Sequence, residues 1–348
     1  RYHRLWWNDR IYQWTSILFG NKGSPDISQK VIQTHAGSKK HIYPTAAHAM
    51  KNDCYMDDLF YSVETEEECC RLVQDLPKLM LGCGMKITKF YTNCDKAIKL
   101  LPKELVSSKV TFDDKDAILE ANKVLGMIWD ANTDMFNFVA KFKSVDQFFE
   151  KLKMSKNPEW TKRLILRLSA TVYDPLGLIA PYTVRSRIIM QNLWVQKLDW
   201  DDTIAQVSQN QWNEWLEDLF ILANVVRIPR CLGFKSGLEV QLHVFADAST
   251  SAFATCCYTR VFEPSTASRE EKVHQVSLVS AKARVAPTKT ESVSRLELAG
   301  CVIGVRVGCQ MADGFGIAHE KVYYWTDSKN CLYWINTPAS ALKTFVSN

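Results

Sequence analysis

A mixed α+β and α/β chain of more than one domain is the fold class the sequence predicts, on three observations. A strand-turn-strand-helix pattern surrounds Tyr55-Met56-Asp57-Asp58, amphipathic helical spacing recurs between Trp160 and Leu222, and from Leu238 to Ile335 the order reads β-β-β-α-β-α. A length of 348 residues suits about two to three domains. Hydrophobic residues at 47% and charged residues at 23% are ordinary shares for a soluble globular protein. No apolar run approaches the ~20 residues a membrane helix needs, so no membrane partner is expected. The net charge of +5 permits a polyanionic partner without demanding one.

Taken in order, the opening Arg1-Tyr2-His3-Arg4-Leu5-Trp6-Trp7 has neither an initiator Met nor a signal-peptide pattern, and reads as an internal segment of a longer chain. Ser24 and Pro25 suit a helix start with Asp26 in its first turn, and the helix continues through Ile27, Val31, Ile32 and His35. Apolar residues on both sides of Asp57 and Asp58, among them Ala49, Met50, Leu59 and Phe60, suit a hairpin whose turn carries the two acids. Thr65 then caps a helix with an acidic first turn and an apolar stripe through Leu72, Leu76, Leu79 and Met80. Gly82-Cys83-Gly84 ends it, and Met85 to Phe90 reads as an alternating strand. A loop is expected through Asp113, Asp114 and Asp116, then a hairpin from Val124–Trp129 and Met135–Val139.

In the middle segment, spacing at Leu164, Leu168, Val172 and Leu176 predicts a buried helical face interrupted at Pro175, and Trp212, Trp215, Leu216, Leu219 and Leu222 predict another helix. Bases from Lys141 to Arg167, with Phe142, Phe148, Phe149 and Trp160 among them, suit a phosphate backbone and stacked bases; they equally suit a solvated helix face beside a core. The 11 cysteines show no CxxC or Cys/His finger spacing. An odd number without an export signal predicts reduced thiols inside a cell, most of them small core residues.

Adjacent carboxylates repel, so the Asp57-Asp58 pair needs a reason. A hairpin tip can hold two such groups near a pair of divalent cations about 3.5–4 Å apart, the arrangement that activates a 3′-hydroxyl in polymerases; an exposed acidic turn is the alternative. In the last segment, Asp247 on the first strand, Glu297 in the long helix and Asp327 at the end of the fourth strand could converge on one face of a mixed sheet. Hard carboxylate oxygens there would suit two Mg²⁺ ions. Taken singly, each acid also fits a strand-end turn or an exposed helix position.

The order Phe19-Gly20, Ser24-Pro25, Tyr55-Met56-Asp57-Asp58, Gly84-Met85-Lys86-Ile87-Thr88-Lys89 and Leu125-Gly126-Met127-Ile128-Trp129 resembles the palm and early thumb of a reverse transcriptase, of the Bel/Pao-type long-terminal-repeat retrotransposons. Ala246-Asp247-Ala248-Ser249, Arg295-Leu296-Glu297-Leu298 and Thr326-Asp327-Ser328 resemble the ribonuclease H domain attached to such polymerases. The resemblance implies a partial palm and thumb over 1–140, an α-rich connection over 141–235, and a ribonuclease H-like mixed sheet with flanking helices over 236–348. It implies RNA-directed DNA synthesis with cleavage of the RNA strand of a hybrid, using two Mg²⁺ per active site, with Mn²⁺ as an alternative. Asp57 and Asp58 would be polymerase metal ligands; Asp247, Glu297 and Asp327 would be those of the nuclease. Ser24, Pro25, Tyr55, Met56, Lys89, Gly126 and Trp129 would contact template, primer or nucleotide. The implied partners are an RNA template, a DNA primer, RNA/DNA hybrid, deoxynucleoside triphosphates and other Pol polyprotein segments, and the implied location is a cytoplasmic virus-like particle with access to the nucleus.

By the same resemblance, a first polymerase aspartate falls before Arg1 and a fourth nuclease residue after Asn348, so weak or absent polymerisation is expected. Gly23 departs from relatives that carry a second Ser before Ser24. A non-catalytic nucleic-acid-binding remnant is the competing expectation. An aspartic peptidase ranks last, because Asp174-Pro175-Leu176-Gly177 lacks the Asp-Thr/Ser-Gly turn and Asp174 suits a cap or turn.

Overall fold

A computed structural model describes residues 3–18, 20–106, 123–124, 127–138, 159–266 and 269–347. The chain forms two compact units, Arg1–Lys109 and Val110–Asn348. Among the described residues, no helix is long and apolar enough to cross a membrane.

The first unit opens with a hairpin, β1 (Arg4–Trp7) and β2 (Arg10–Gln13), whose side chains are exposed. Helix α1 (Ser24–Lys39) starts as expected, with Pro25 and Asp26 in its first turn. Gly23 holds the cap position, and the Ser24 hydroxyl donates to the Leu18 carbonyl instead of capping. Helix α2 (Pro44–Asn52) departs from the sequence expectation, which placed Ala49 and Met50 on the strand leading into the acidic hairpin. Pro44 sets the first turn, and the buried alanines Ala46, Ala47 and Ala49 let the helix pack closely in the core that holds Ile32 and Ala36 of α1.

The hairpin itself shortens to β3 (Cys54–Tyr55) and β4 (Asp58–Leu59). Helix α3 (Glu66–Leu81) is capped by Thr65, whose hydroxyl accepts from the Glu68 amide at 3.2 Å. Its acidic first turn complements the positive end of the helix dipole, and Leu72, Leu76, Leu79 and Met80 complete the core. Met85 to Phe90 is not a strand: apart from one bridge, Phe90 to Val106, it has no ladder partner among the described residues. Its alternation instead packs Met85, Ile87 and Phe90 onto the same core. A short α4 (Asp95–Leu100) places Ala97 beside Cys94 and Val73.

In the second unit, β5 (Lys123–Val124), β6 (Met127–Asp130), β7 (Met135–Asn137) and β8 (Ile228–Pro229) form an antiparallel sheet in that order. The expected hairpin is β6 and β7, with Trp129 opposite Phe136, but Val124, expected on the same strand as Trp129, lies instead on β5, which pairs antiparallel with β6. Helix α5 (Lys162–Ser169) is capped by Thr161 and ends before Val172, because Pro175 and the Gly177 turn cannot continue it. Helices α6 (Ala180–Val195) and α7 (Gln206–Val225) pack with it around Trp160, Trp212 and Trp215. Trp160 and Lys162, which the sequence grouped with a nucleic-acid-binding stretch, are buried. The Lys162 ammonium donates to the Leu198 carbonyl and lies 4.0 Å from the Trp194 ring centroid. Residues 141–158 of that stretch lie outside the described residues, as do the expected 113–116 loop and Val139.

The second sheet has the order β11-β10-β9-β12, built from β9 (Glu239–Ala248), β10 (Ala252–Glu263), β11 (Lys272–Val285) and β12 (Val322–Trp325). Strands β9 to β11 are antiparallel neighbours, and β12 joins β9 in parallel. Such a pairing needs a crossover, supplied by α8 (Val293–Phe315); α9 (Lys329–Ile335) follows β12. This is the β-β-β-α-β-α order read from the sequence. At the β11 edge, the Ala281 amide donates to the Leu176 carbonyl at 2.8 Å, and Arg187 and Gln191 of α6 donate to the carbonyls of Ala283 and Ala286. The helices are thereby tied to the sheet.

Candidate active site

Three glycines set the geometry at the sheet. Gly300, Gly304 and Gly308 recur at i, i+4 on α8, so they share a face. A Cβ on Gly300 would stand 3.4 Å from the Asp247 and Ala254 carbonyl oxygens, one on Gly304 3.1 Å from the Thr255 hydroxyl, and one on Gly308 2.7 Å from the Tyr324 hydroxyl. The helix backbone therefore lies close on β9, β10 and β12. Glu297 precedes Gly300 by one turn and is carried to the end of β9 where Asp247 sits.

Strand β12 supplies the third acid. Its parallel register ends at Trp325 opposite Phe245, and Asp327 and Asp247 each lie two residues further on. Asp327 is thus not the last residue of the strand, as the sequence suggested, but occupies the turn between β12 and α9. The structure brings Asp247, Glu297 and Asp327 to one end of the sheet, and among the described residues none of them is in an ion pair.

Their side chains point to separate partners. The Asp247 carboxylate accepts from the Ala248 amide at 2.7 Å, and the Glu297 carboxylate accepts from the Ser328 hydroxyl. No three His, Cys, Asp or Glu side chains among the described residues form a set that could hold a metal ion. The donor chemistry nevertheless fits a hard divalent cation: three carboxylates, Asp247 and Asp327 exposed and Glu297 half-buried, none of them in an ion pair among the described residues.

Ser328 is the residue sequence reasoning missed, although it stands in the quoted Thr326-Asp327-Ser328. It is buried, caps α9 by accepting from the Cys331 amide at 3.3 Å, and donates to Glu297. The signal was there: a Ser three residues ahead of Cys331, just before a helical run, is an N-cap pattern. Burial pushes the Cys331 thiol up to about 11, against the pull of its Ser328 hydrogen bond. Ser328→Ala should cost about 1–2 kcal/mol by losing the cap and leaving Glu297 without its donor, whereas Ser328→Thr should retain most of it. Denaturant midpoints of the two variants check this; equal losses would show that the hydroxyl does not matter.

In the first unit, the acidic hairpin turns on Met56 and Asp57, with Met56 at φ 54°. Asp58 does not lie in the turn, as expected from the sequence, but pairs with Tyr55 on the strand. Both carboxylates are exposed, as are Tyr55 and Met56. Gln29, one turn on from Ser24 and Pro25, donates its amide to the Met56 carbonyl and so joins the start of α1 to the hairpin. Nothing local in the sequence marks Gln29. The Cys54 thiol beneath is pushed up by burial, with Asp57 and Asp58 adding to the effect and Gln29 opposing it.

Lys89 is exposed on the segment after α3. Gly126 lies outside the described residues, as does Phe19. Trp129 belongs to the second unit, where its indole donates to Asp134 at 3.0 Å and its ring faces the Arg230 guanidinium. The Asp174 carboxylate accepts from the amides of Leu178 and Ile179, each at 2.9 Å, which is the capping role read from the sequence. Burial pushes that carboxyl above the usual range, while these amides and the Gly177 amide pull it back.

Comparison with known proteins bears on the second unit. Residues 161–328 match the family described as Pao retrotransposon-like RNaseH-like domain. The match begins at Thr161, so it takes in the helices tied to the β11 edge as well as the sheet, and it ends at Ser328. No curated protein matches. A solved chain titled "Structure of the foamy viral protease-reverse transcriptase in complex with dsDNA" is similar at 14% identity with a TM-score of 0.20, over 99% of this chain. The chain spans 61% of the length of that solved chain.

Proposed function

We propose, for a chain whose residues 161–328 carry a Pao retrotransposon-like RNaseH-like domain, that Asp247, Glu297 and Asp327 bind Mg²⁺ and cleave the RNA strand of an RNA/DNA hybrid. The observation that carries this reading is the placement of Asp247, Glu297 and Asp327 at one end of the β9–β12 pair, none of them in an ion pair among the described residues. Asp247 and Asp327 would hold the metals from the strand ends and Glu297 from the helix, with Ser328 orienting Glu297. Bound Mg²⁺ would supply an activated water and stabilise the leaving 3′-oxygen. The 2′-hydroxyl and A-form geometry would distinguish RNA from DNA.

The same proposal assigns the exposed Asp57-Asp58 hairpin, with Ser24, Pro25, Tyr55, Met56 and Lys89, to the metal- and nucleotide-binding part of an RNA-directed DNA polymerase. Template, primer, deoxynucleoside triphosphates, other Pol segments and a cytoplasmic particle belong to the proposal too.

Asp247→Asn, Glu297→Gln and Asp327→Asn should each lower Mg²⁺-dependent hybrid cleavage at least about 100-fold, a loss of ~2.7 kcal/mol of transition-state stabilisation. Unchanged cleavage in Asp247→Asn and Asp327→Asn would sink the assignment. A second reading, a domain that holds hybrid without cleaving it, is favoured by carboxylates that do not close into a metal set among the described residues. Calorimetric Mg²⁺ titration with and without hybrid separates the two, since ordered binding of two metals belongs only to the nuclease.

A further inference from the structure

One turn beyond Glu297 on α8 is Cys301, and at the third position of α9 is Cys331. The two thiols stand on adjacent helices, with the start of α9 held by Cys331 and Asn330 against the α8 stripe that carries Cys301. Cys331 is fully buried, with its sulfur 3.8 Å from the Ser294 carbonyl of α8; Cys301 is half-buried. Asn330 also donates to the Ser294 hydroxyl at 2.8 Å. Ser294, Glu297 and Cys301 follow i, i+3, i+7 and so form one stripe on α8, and the start of α9 lies along it.

The pair is mechanically coupled to the acids. The Cys331 amide donates to the Ser328 hydroxyl, and that hydroxyl donates to Glu297. A disulfide requires an S–S distance of about 2.05 Å and a restricted dihedral, which is closer than two thiols in contact. Closing it draws the first turn of α9 toward α8, and the strain falls on the Cys331, Ser328 and Glu297 relay.

We propose that Cys301 and Cys331 form a redox switch, in which a peroxide oxidises the pair to a disulfide and turns the neighbouring carboxylate site down. The sulfur of Cys301, the more accessible thiol, attacks the peroxide; an S–O bond forms, the O–O bond breaks and one water leaves. The sulfur of Cys331 then attacks the sulfenic acid; the S–S bond forms, the S–O bond breaks and a second water leaves. Two thiols lose two electrons and one hydrogen peroxide gains them. A dithiol such as dithiothreitol reverses the step by exchange.

The regulatory effect rests on the proposed nuclease reading; the disulfide does not. The test treats the full chain with hydrogen peroxide, maps disulfides by mass spectrometry of a non-reduced digest, and measures Mg²⁺ affinity by calorimetry and hybrid cleavage. The expected result is a peptide joining residues 301 and 331, weaker Mg²⁺ binding, and cleavage lowered at least about ten-fold. Dithiothreitol should restore both, and Cys301→Ser should be insensitive. The absence of that linked peptide overturns the proposal, as does an oxidised protein whose Mg²⁺ affinity and cleavage match the reduced one, or an equal loss in Cys301→Ser. If the reduced protein cleaves no hybrid, the nuclease reading fails, while the linked peptide and the Mg²⁺ affinity still decide the switch.

Discussion

Gly177→Ala should destabilise the Val110–Asn348 unit by more than about 3 kcal/mol. Two costs add. Gly177 has φ +75°, a left-handed conformation that costs a residue with a Cβ about 1–2 kcal/mol. The larger cost is steric: an added Cβ would stand 1.8 Å from the Ala281 carbonyl oxygen, a backbone atom in β11 that cannot swing aside. Relieving the clash means moving the turn off the sheet. That movement breaks the bond from the Ala281 amide to the Leu176 carbonyl and the one from the Ser280 hydroxyl to the same carbonyl at 3.1 Å. Each lost bond adds on the order of 1 kcal/mol. Gly237→Ala is the control, because Gly237 has φ +86° but nothing within 4 Å of the added Cβ; it should cost only the conformational share. Denaturant midpoints of both variants give the answer, and equal shifts would show that the contact with Ala281 carries no weight.

Trp215→Ala should lower stability by about 4 kcal/mol, within the 3–5 kcal/mol of large aromatic truncations. Trp215 is fully buried, stacks on Tyr182 and on Trp212 with ring centroids 4.7 Å apart in each case, and donates its indole to the Tyr182 carbonyl at 3.1 Å. Tyr182 returns the bond, its hydroxyl donating to the Trp215 carbonyl at 2.8 Å. Burial raises the Tyr182 phenol above its ordinary range, so this donor stays protonated through neutral pH. For a unit of this size the melting temperature should fall on the order of 10 °C. Trp215→Phe isolates the polar share: it keeps most of the apolar surface and removes only the indole's bond to the Tyr182 carbonyl, at about 1 kcal/mol. A melting temperature unchanged in Trp215→Ala would mean that α6 and α7 do not depend on this contact.

Much of the fold was legible where the cause is local. Thr65 and the acids after it announced α3, because a cap hydroxyl and a helix dipole act within one turn. Trp212, Trp215, Leu216, Leu219 and Leu222 announced α7 by spacing alone. The same logic misled at Met85 to Phe90, where alternation reports one buried side and does not say whether a neighbouring strand exists to take the backbone bonds. It misled again at Ala49 and Met50, whose apolar character suited a strand until Pro44 and the close packing of alanines made them helical. Trp160 and Lys162 carried the composition of a nucleic-acid surface, yet the aromatic ring fills the core and the ammonium is held by Leu198 and Trp194.

For the candidate sites the division is sharper. The sequence by itself determined which acids are present and in what order, that Asp247 follows a strand core, that Glu297 lies in a long helix, and that Asp58 adjoins Asp57. Residue type and short-range periodicity are enough for that. Only the tertiary structure decided that β12 pairs in parallel with β9, that three glycines seat α8 against the strands, and that Ser328 reaches Glu297. It alone decided that Gln29 meets the acidic hairpin and that the Gly177 turn meets β11. These partners lie tens to more than a hundred residues apart, and what joins them is the burial and backbone pairing of whole elements. A sequence carries the chemistry of each partner, but folding chooses which ones meet.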